Sequence, residues 1–240
     1  MTTLPITTDL VVHNQGINID IESIAPVRGF DAEAYDVANM TITATVESPA
    51  EATYRLVLAA DIEAGTSAIA RVVSGTKENF KNPAEFKRIA KKDAEIIRPI
   101  LAKAGIALDP STDEKKQLEE HAAHYKVADL KIPAGRQVLR IHASQVLLPV
   151  DGDPRKYRFV MYAPQLSLAP VGNVRLGATV IFPLDFNGTI DTPLVEAMPN
   201  QPTANVVAGG ETPVLVGAQK AYGWAFQADP KITFTYAYTA

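Results

Sequence analysis

The stretch Gln219-Lys220-Ala221-Tyr222-Gly223-Trp224-Ala225-Phe226-Gln227-Ala228-Asp229-Pro230-Lys231-Ile232-Thr233-Phe234-Thr235-Tyr236-Ala237-Tyr238-Thr239 decides how the rest of the chain is read. Tyr222, Trp224 and Phe226 alternate with Ala221, Gly223 and Ala225. Beyond Asp229-Pro230, Ile232, Phe234, Tyr236 and Tyr238 alternate with Thr233, Thr235 and Ala237. A period of two sets each group on one face of a strand, and Asp-Pro between them suits a turn. The spacing therefore predicts a β-hairpin with a heavy aromatic face and a light face of Ala, Gly and Thr. Six of the chain's 17 aromatic residues fall here, so the heavy face is expected to be a main part of the core. Exposed rings on a sheet would instead serve as a stacking platform for sugars or bases. The tiny residues beside them favour the core, because a binding face would carry Asn, Asp or Gln there. The light face would let another layer, strand or subunit approach closely.

Working outward, other segments alternate in the same way. Ile17, Ile19 and Ile21 follow Gly16, with Leu10-Val11-Val12 before them; Thr41 to Val46 and Tyr54 to Leu58 come next, and Ile69 to Val73 reads as a fourth strand or the approach to a helix. After Arg136, Val138 to His142, Val146 to Leu148, Tyr157 to Met161 and Val174 to Val180 recur at the intervals of a sandwich or jelly roll. Pro26, Gly29 and the acidic run to Asp36 read as a loop. The fold class expected is mainly β: one antiparallel β-sandwich or jelly-roll-like domain spanning residues 1–240.

One insertion breaks the texture. Asn82-Pro83-Ala84-Glu85 carries the marks of a helix start, and Phe86, Ile89, Ala90, Ile97, Ile100, Leu101 and Ala104 recur at helical spacing. Pro99 should kink or split that helix near Arg98. A second helix is expected from Ser111, with Glu114 completing a capping box and Leu118, Ala122 and Tyr125 as its apolar stripe. We read residues 80–126 as a helical hairpin inserted into the β-domain. Between Gly75 and Lys126 lie 11 of the 23 Lys/Arg but 9 of the 27 acids, so the insertion leans basic while the rest is acidic. Residues 183–213 hold five prolines and three glycines, and no Lys or Arg occurs between Arg175 and Lys220. This irregular stretch is too long for a routine connection and is expected to be an arm against a neighbour or a functional loop. Met1 to Thr8 reads as a second arm.

The net charge of −4 argues against a nucleic-acid partner. With no cysteine, disulfides, thiolate metal sites and cysteine nucleophiles are excluded. No secretory signal and no membrane-spanning apolar run are seen, so the cytoplasm or a virus particle assembled there is the expected location. His121 and His124 could bring two imidazoles near one metal, but they sit three apart with alanines between, unlike the metalloprotease pattern, and an ordinary solvated helix face explains them better. His142 reads as a satisfied histidine in an apolar strand, and His13 has no partner evident in sequence. Asp151-Gly152-Asp153 resembles a piece of a calcium loop without its closing glutamate, and a hairpin turn explains it better. No serine-nucleophile, P-loop or dinucleotide motif occurs.

No catalytic, cofactor or metal residue is therefore assigned. The function expected is a non-enzymatic structural protein that forms homo-oligomers, such as a phage capsid, decoration or tail protein, with other structural proteins as possible partners. A carbohydrate- or ligand-binding β-sandwich is the alternative, and a metal-dependent enzyme the third reading.

Overall fold

The computed structural model describes residues 10–31, 33–59, 66–73, 83–103, 106–162, 176–197, 206–210, 212–227 and 230–239. In chain order, β1 (Val11–Glu22), β2 (Asp36–Ser48), β3 (Ala52–Ala59) and β4 (Thr66–Val73) precede two minimal strands, β5 (Ala84–Glu85) and β6 (Lys87–Arg88). A 3₁₀ segment (Lys91–Ile97) leads into α1 (Arg98–Lys103), followed by α2 (Glu114–Ala122). Then come β7 (Tyr125–Ile132), β8 (Gly135–Leu147), β9 (Pro149–Val150), β10 (Asp153–Tyr162) and β11 (Leu176–Ile181). The chain ends through β12 (Gly188–Ile190), β13 (Leu194–Ala197), β14 (Val206–Gly209), β15 (Val214–Val216), β16 (Gln219–Phe226) and β17 (Pro230–Tyr238). Among the described residues these form sheets of nine, five and three strands.

The large sheet runs β14-β16-β11-β1-β2-β8-β4-β5, with β15 also on β16. Alternation in β1 and β2 turns Ile17, Ile19, Ile21, Ile42, Ala44 and Val46 into the core, and β8 adds Leu139, Ile141 and Ala143. The second sheet is β12-β17-β10-β9, with β13 also on β17. The fold is mainly β and sandwich-like, as the alternation predicts. One pairing departs from the antiparallel expectation: β1 and β11 are parallel, with Gly16 opposite Gly177. They are distant in sequence, so no hairpin constrains their direction.

The C-terminal strands form where predicted, but they are not a hairpin. Strand β16 pairs with β11, β14 and β15 in the large sheet, whereas β17 pairs with β10, β12 and β13 in the other. The chain crosses between layers, so the two heavy faces meet. Phe234 lies edge-on to Tyr222 at 5.4 Å and to Trp224 at 5.6 Å. A hairpin would have put all six rings on one face in need of a third layer. Crossing over lets the rings bury one another, and inward alternation from two sheets fills the space between them. All six are buried, so the aromatic set is core and not a platform.

A polar latch joins the layers. Asp36, at the start of β2, is fully buried; its Oδ1 accepts from the amides of Ile24 (2.9 Å) and Ala25 (3.0 Å). Its Oδ2 accepts from the hydroxyls of Tyr236 (2.8 Å) and Tyr238 (2.6 Å) on β17. Burial pushes both tyrosine hydroxyls well above their ordinary value. In the sequence, Asp36 reads only as the end of an acidic loop.

The insertion is less helical than its pattern implies. Where a helix is expected from 82, Ala84–Glu85 instead pairs with β4 and Lys87–Arg88 with β7. Between them Phe86 is buried in the main core, so tertiary pairing and burial override the local signal. Asn82, its expected cap, lies outside the described residues. The split near Arg98 does occur, as the change from 3₁₀ to α. The second helix starts at Asp113 rather than Ser111: Asp113 accepts from the Lys115 amide at 2.9 Å, while Ser111 is tied to Asp109. Tyr125 opens β7 instead of extending the helical stripe. Ile97, Leu101, Leu118 and Ala122 share a small core of their own. Residues 183–213 are not irregular throughout either, since they supply β12, β13 and β14 as edge strands.

Candidate functional site

The histidines singled out in sequence do not converge. His121 lies in the last turn of α2 and His124 in the turn after it, exposed. Among the described residues, no group of three or more His, Cys, Asp or Glu side chains gathers as metal ligands would. His142 sits half-buried on β8 with Nδ1 3.2 Å from the Thr41 hydroxyl, in keeping with a satisfied histidine. Asp151 and Gly152 adopt φ of 58° and 72°, turning the chain between β9 and β10, and Lys156 donates to Asp151 at 2.7 Å. That is the turn expected. His13 does have a partner: its Nε2 lies 2.7 Å from Glu47 Oε2, with Arg136 3.6 Å from the same oxygen. The register between β1 and β2 slips between Val12 and Asn14. This bulge turns His13 to the outer face, and the imidazole hydrogen bond holds the Glu47 carboxyl below its usual range. Sequence separation hid this pair.

That outer face is the face of the large sheet turned away from the core, and it unites most of the residues with no internal task. Its strands align in one transverse row: Ala225 (β16), Gly177 (β11), Gly16 (β1), Thr43 (β2) and Arg140 (β8) are successive partners. The backbone register sets Arg71 of β4 next in the row. A parallel row runs Gly223, Thr179, Asn18, Thr41, His142, where the Thr179 hydroxyl donates to Asn18. An open depression of about 410 Å³ lies over the glycine end, lined in part by Gly16, Asn18, Gly177, Thr179 and Gly223.

Two kinds of glycine meet here. Gly209 has φ +110°, and a Cβ on it would come 2.2 Å from the Gly223 carbonyl, so packing of β14 on β16 demands glycine. At Gly16 and Gly177 the nearest atom to an added Cβ is 4.0 Å away, and neither backbone is left-handed. Glycine inside a strand costs about 0.5–1 kcal/mol relative to alanine, yet nothing within the chain requires it at these two positions.

The β8 member of the row holds a buried donor without a partner among the described residues. Arg140 is half-buried and its Nε is shielded from solvent with no hydrogen-bond partner among the described residues. Glu47, further along β2, is already engaged by His13 and Arg136.

A second exposed feature is a set of apolar side chains late in the chain. Of the eight large apolar side chains exposed among the described residues, five lie between 184 and 216: Leu184, Leu194, Val214, Leu215 and Val216. The last three form β15, an edge strand 60–68% exposed along its length. Such an edge is a template for association, and the segment carries Asp185 and Asp191, both exposed, with no Lys or Arg from 176 to 219.

No described helix is long and apolar enough to cross a membrane. No protein-family model matches the chain, and no curated protein sequence matches it. Among solved structures, a proposed nutrient binding protein of Legionella pneumophila aligns with 96% of this chain and 68% of its own, at 10% identity and a TM-score of 0.45. An M1 zinc metallopeptidase of Deinococcus radiodurans aligns with 96% of this chain and 43% of its own, at 8% identity and a TM-score of 0.39. At this identity and degree of superposition, neither likeness bears on chemistry or partners.

Proposed function

We propose that the protein is a non-enzymatic assembly subunit that works by associating with itself, in the setting of a phage particle as a capsid, decoration or tail component. The observation that carries this reading is the concentration of exposed apolar side chains in 184–216, ending in the unprotected strand β15. An exposed apolar triplet such as β15 marks an interaction site, and edge strands are usually guarded by lysine or proline. Here the three residues Val214, Leu215 and Val216 are neither. Homo-oligomers with closed symmetry are the commonest use of such a surface. Size-exclusion chromatography with light scattering on the full chain at micromolar concentration tests it. A mass of two or more subunits is expected; a strict monomer refutes the reading.

Ligand binding is the second reading, favoured by the depression over Gly16, Gly177 and Gly223. It does not use the aromatic rings, which are buried. A thermal-shift panel of sugars and small acids tests it, and silence across the panel removes it.

A further inference from the structure

We infer that β15 pairs antiparallel with β15 of a second copy about a two-fold axis at Leu215, so that one continuous sheet runs through both subunits. The inference rests on the self-association proposed above and specifies its contact and register. It starts from the direction of the backbone groups along the hairpin of β15 and β16. Val214, Leu215 and Val216 are the register partners of Ala221, Lys220 and Gln219. The Lys220 carbonyl accepts from the Phe182 amide at 3.0 Å. Phe182 directly follows β11, which pairs with β16 on the side away from β15. In an antiparallel ladder, pairs that exchange hydrogen bonds alternate with pairs that do not. Because Lys220 is turned towards β11, Leu215 and Lys220 are a pair of the second kind. The N–H and C=O of Leu215 therefore point off the edge of the sheet, and neither has a hydrogen-bond partner among the described residues.

The side chains leave the same edge open on both faces. Val214 and Val216 lie with Ala221 and Gln219 on the outer face, and Leu215 lies with Lys220 on the inner one. Their exposures of 65%, 60% and 68% show that neither face of the strand is covered. Edge strands are commonly guarded by an inward-pointing charge, a bulge or an overlying loop. Strand β15 pairs without a register shift and carries no charge. Pro213, which has no N–H, ends the ladder before the strand and leaves Leu215 free to donate.

Charge and register identify the occupant as a second copy. Copies of a chain of net charge −4 repel one another unless they meet through an uncharged surface. Thr212 to Gln219 contain no charged residue. Lys220, the next in line, turns its Nζ back to the Gly188 carbonyl at 3.5 Å and to the Phe186 ring of its own chain. Antiparallel pairing about Leu215 then matches the edge to itself. Each Leu215 N–H donates to the Leu215 carbonyl of the other chain. Val214 of each chain stands opposite Val216 of the other on the outer face, a cross-strand pair of β-branched residues. The same patch serves both sides, so the contact is isologous and closes at two copies.

The absence of cysteine makes the register testable in the full chain. The two Leu215 Cα atoms would lie about 5.5 Å apart, within reach of a disulfide. Under mild oxidation at micromolar concentration, Leu215→Cys should cross-link about tenfold faster or more than Val27→Cys, a control at a position 85% exposed. Leu215→Pro removes the outward N–H, which its own hairpin does not use. It should raise the dissociation constant of the dimer about tenfold or more, with circular dichroism confirming the fold. Leu215→Thr keeps that N–H and should dimerise more tightly than Leu215→Pro. If wild type is monomeric, the self-association reading fails and this inference with it. If wild type assembles and folded Leu215→Pro assembles equally well, only the inference falls. It falls alone, too, if an assembling protein cross-links through Leu215→Cys no faster than through Val27→Cys. Equal weakening by Leu215→Thr and Leu215→Pro would refute the backbone ladder.

Discussion

Replacing Asp36 should be among the most damaging single changes to this protein, and its size can be worked from the latch geometry. Asp36→Ala removes the acceptor of four hydrogen bonds at once. Tyr238 keeps a partner, because its hydroxyl also lies 2.8 Å from the Ser23 hydroxyl, to which it can turn its proton once Asp36 is gone. The Ala25 amide and the Tyr236 hydroxyl do not: both residues are within 1% of full burial, and each is left with an unpaired donor. At about 1–3 kcal/mol for each stranded group, the loss should be about 3–5 kcal/mol once the weaker Ile24 and Tyr238 effects are included. That is a large share of a stability of about 5–15 kcal/mol. Asp36→Asn should be milder, about 1–2 kcal/mol, because its carbonyl still accepts the two backbone amides and a rotated hydroxyl can accept from its NH₂. Tyr236→Phe removes one donor and leaves the carboxylate three, so it should also lie near 1–2 kcal/mol. Urea unfolding of the series, with unchanged m-values, gives the numbers. Two results would refute the reasoning: a loss below ~1 kcal/mol for Asp36→Ala, or simple additivity of Asp36→Ala with Tyr236→Phe, since partners in one network must couple.

Gln15 makes the opposite prediction. Its side chain is 3% exposed on the inner face of β1, and neither amide atom has a hydrogen-bond partner among the described residues. Gln15→Met keeps length and volume while removing both polar atoms, so urea unfolding should show a gain of about 1–2 kcal/mol; a loss would mean that the amide holds a buried water. A pH effect should come from Arg55 and Asp129, joined by bonds of 2.7 and 2.8 Å between β3 and β7. The Arg55 guanidinium holds the Asp129 carboxyl below its ordinary 3.8. The pair's contribution is therefore full above that value and is lost as pH falls through the lower folded one. With Asp129 42% exposed, it should be only about 0.5 kcal/mol. The stability difference between wild type and Asp129→Asn should be visible at about pH 7 and vanish at about pH 2; a difference that persists in acid would contradict the assignment.

Strand positions were legible because alternation is local. Ile17-Ile19-Ile21 and Thr41 to Val46 announce a buried and a free face without reference to anything else. Which sheet a strand joins is a non-local matter, and there local reasoning failed. Asp229-Pro230 looks like a hairpin turn, but the free-energy gain lies in burying Tyr222 and Trp224 against Phe234, which a crossing between layers achieves. Phe86 shows the same competition: its neighbours read as a helix start, yet its burial in the main core carries the backbone into two bridging strands. The short edge strands in 183–213 escaped notice because three or four residues are too few to display a period.

The candidate site was legible only in outline, for a related reason. The light face of β16 was readable from Gly223 and Ala225 as a place where something could approach. That Gly177, Gly16, Thr43 and Arg140 continue it depends on four strand registers, one of them parallel. No spacing in the sequence encodes such a row. Its physical signature is a set of residues that each look wrong for a strand: two glycines whose Cβ would meet nothing closer than 4.0 Å, and an arginine with a buried, unpaired Nε. Each departure weakens the isolated subunit by an amount of order 1 kcal/mol. Placed at random they would be unrelated blemishes, but they lie in one row and all face outward. A layer seated over the glycines would recover part of that cost, which is why the outer face, and not the aromatic core, is where the subunit's function should be sought.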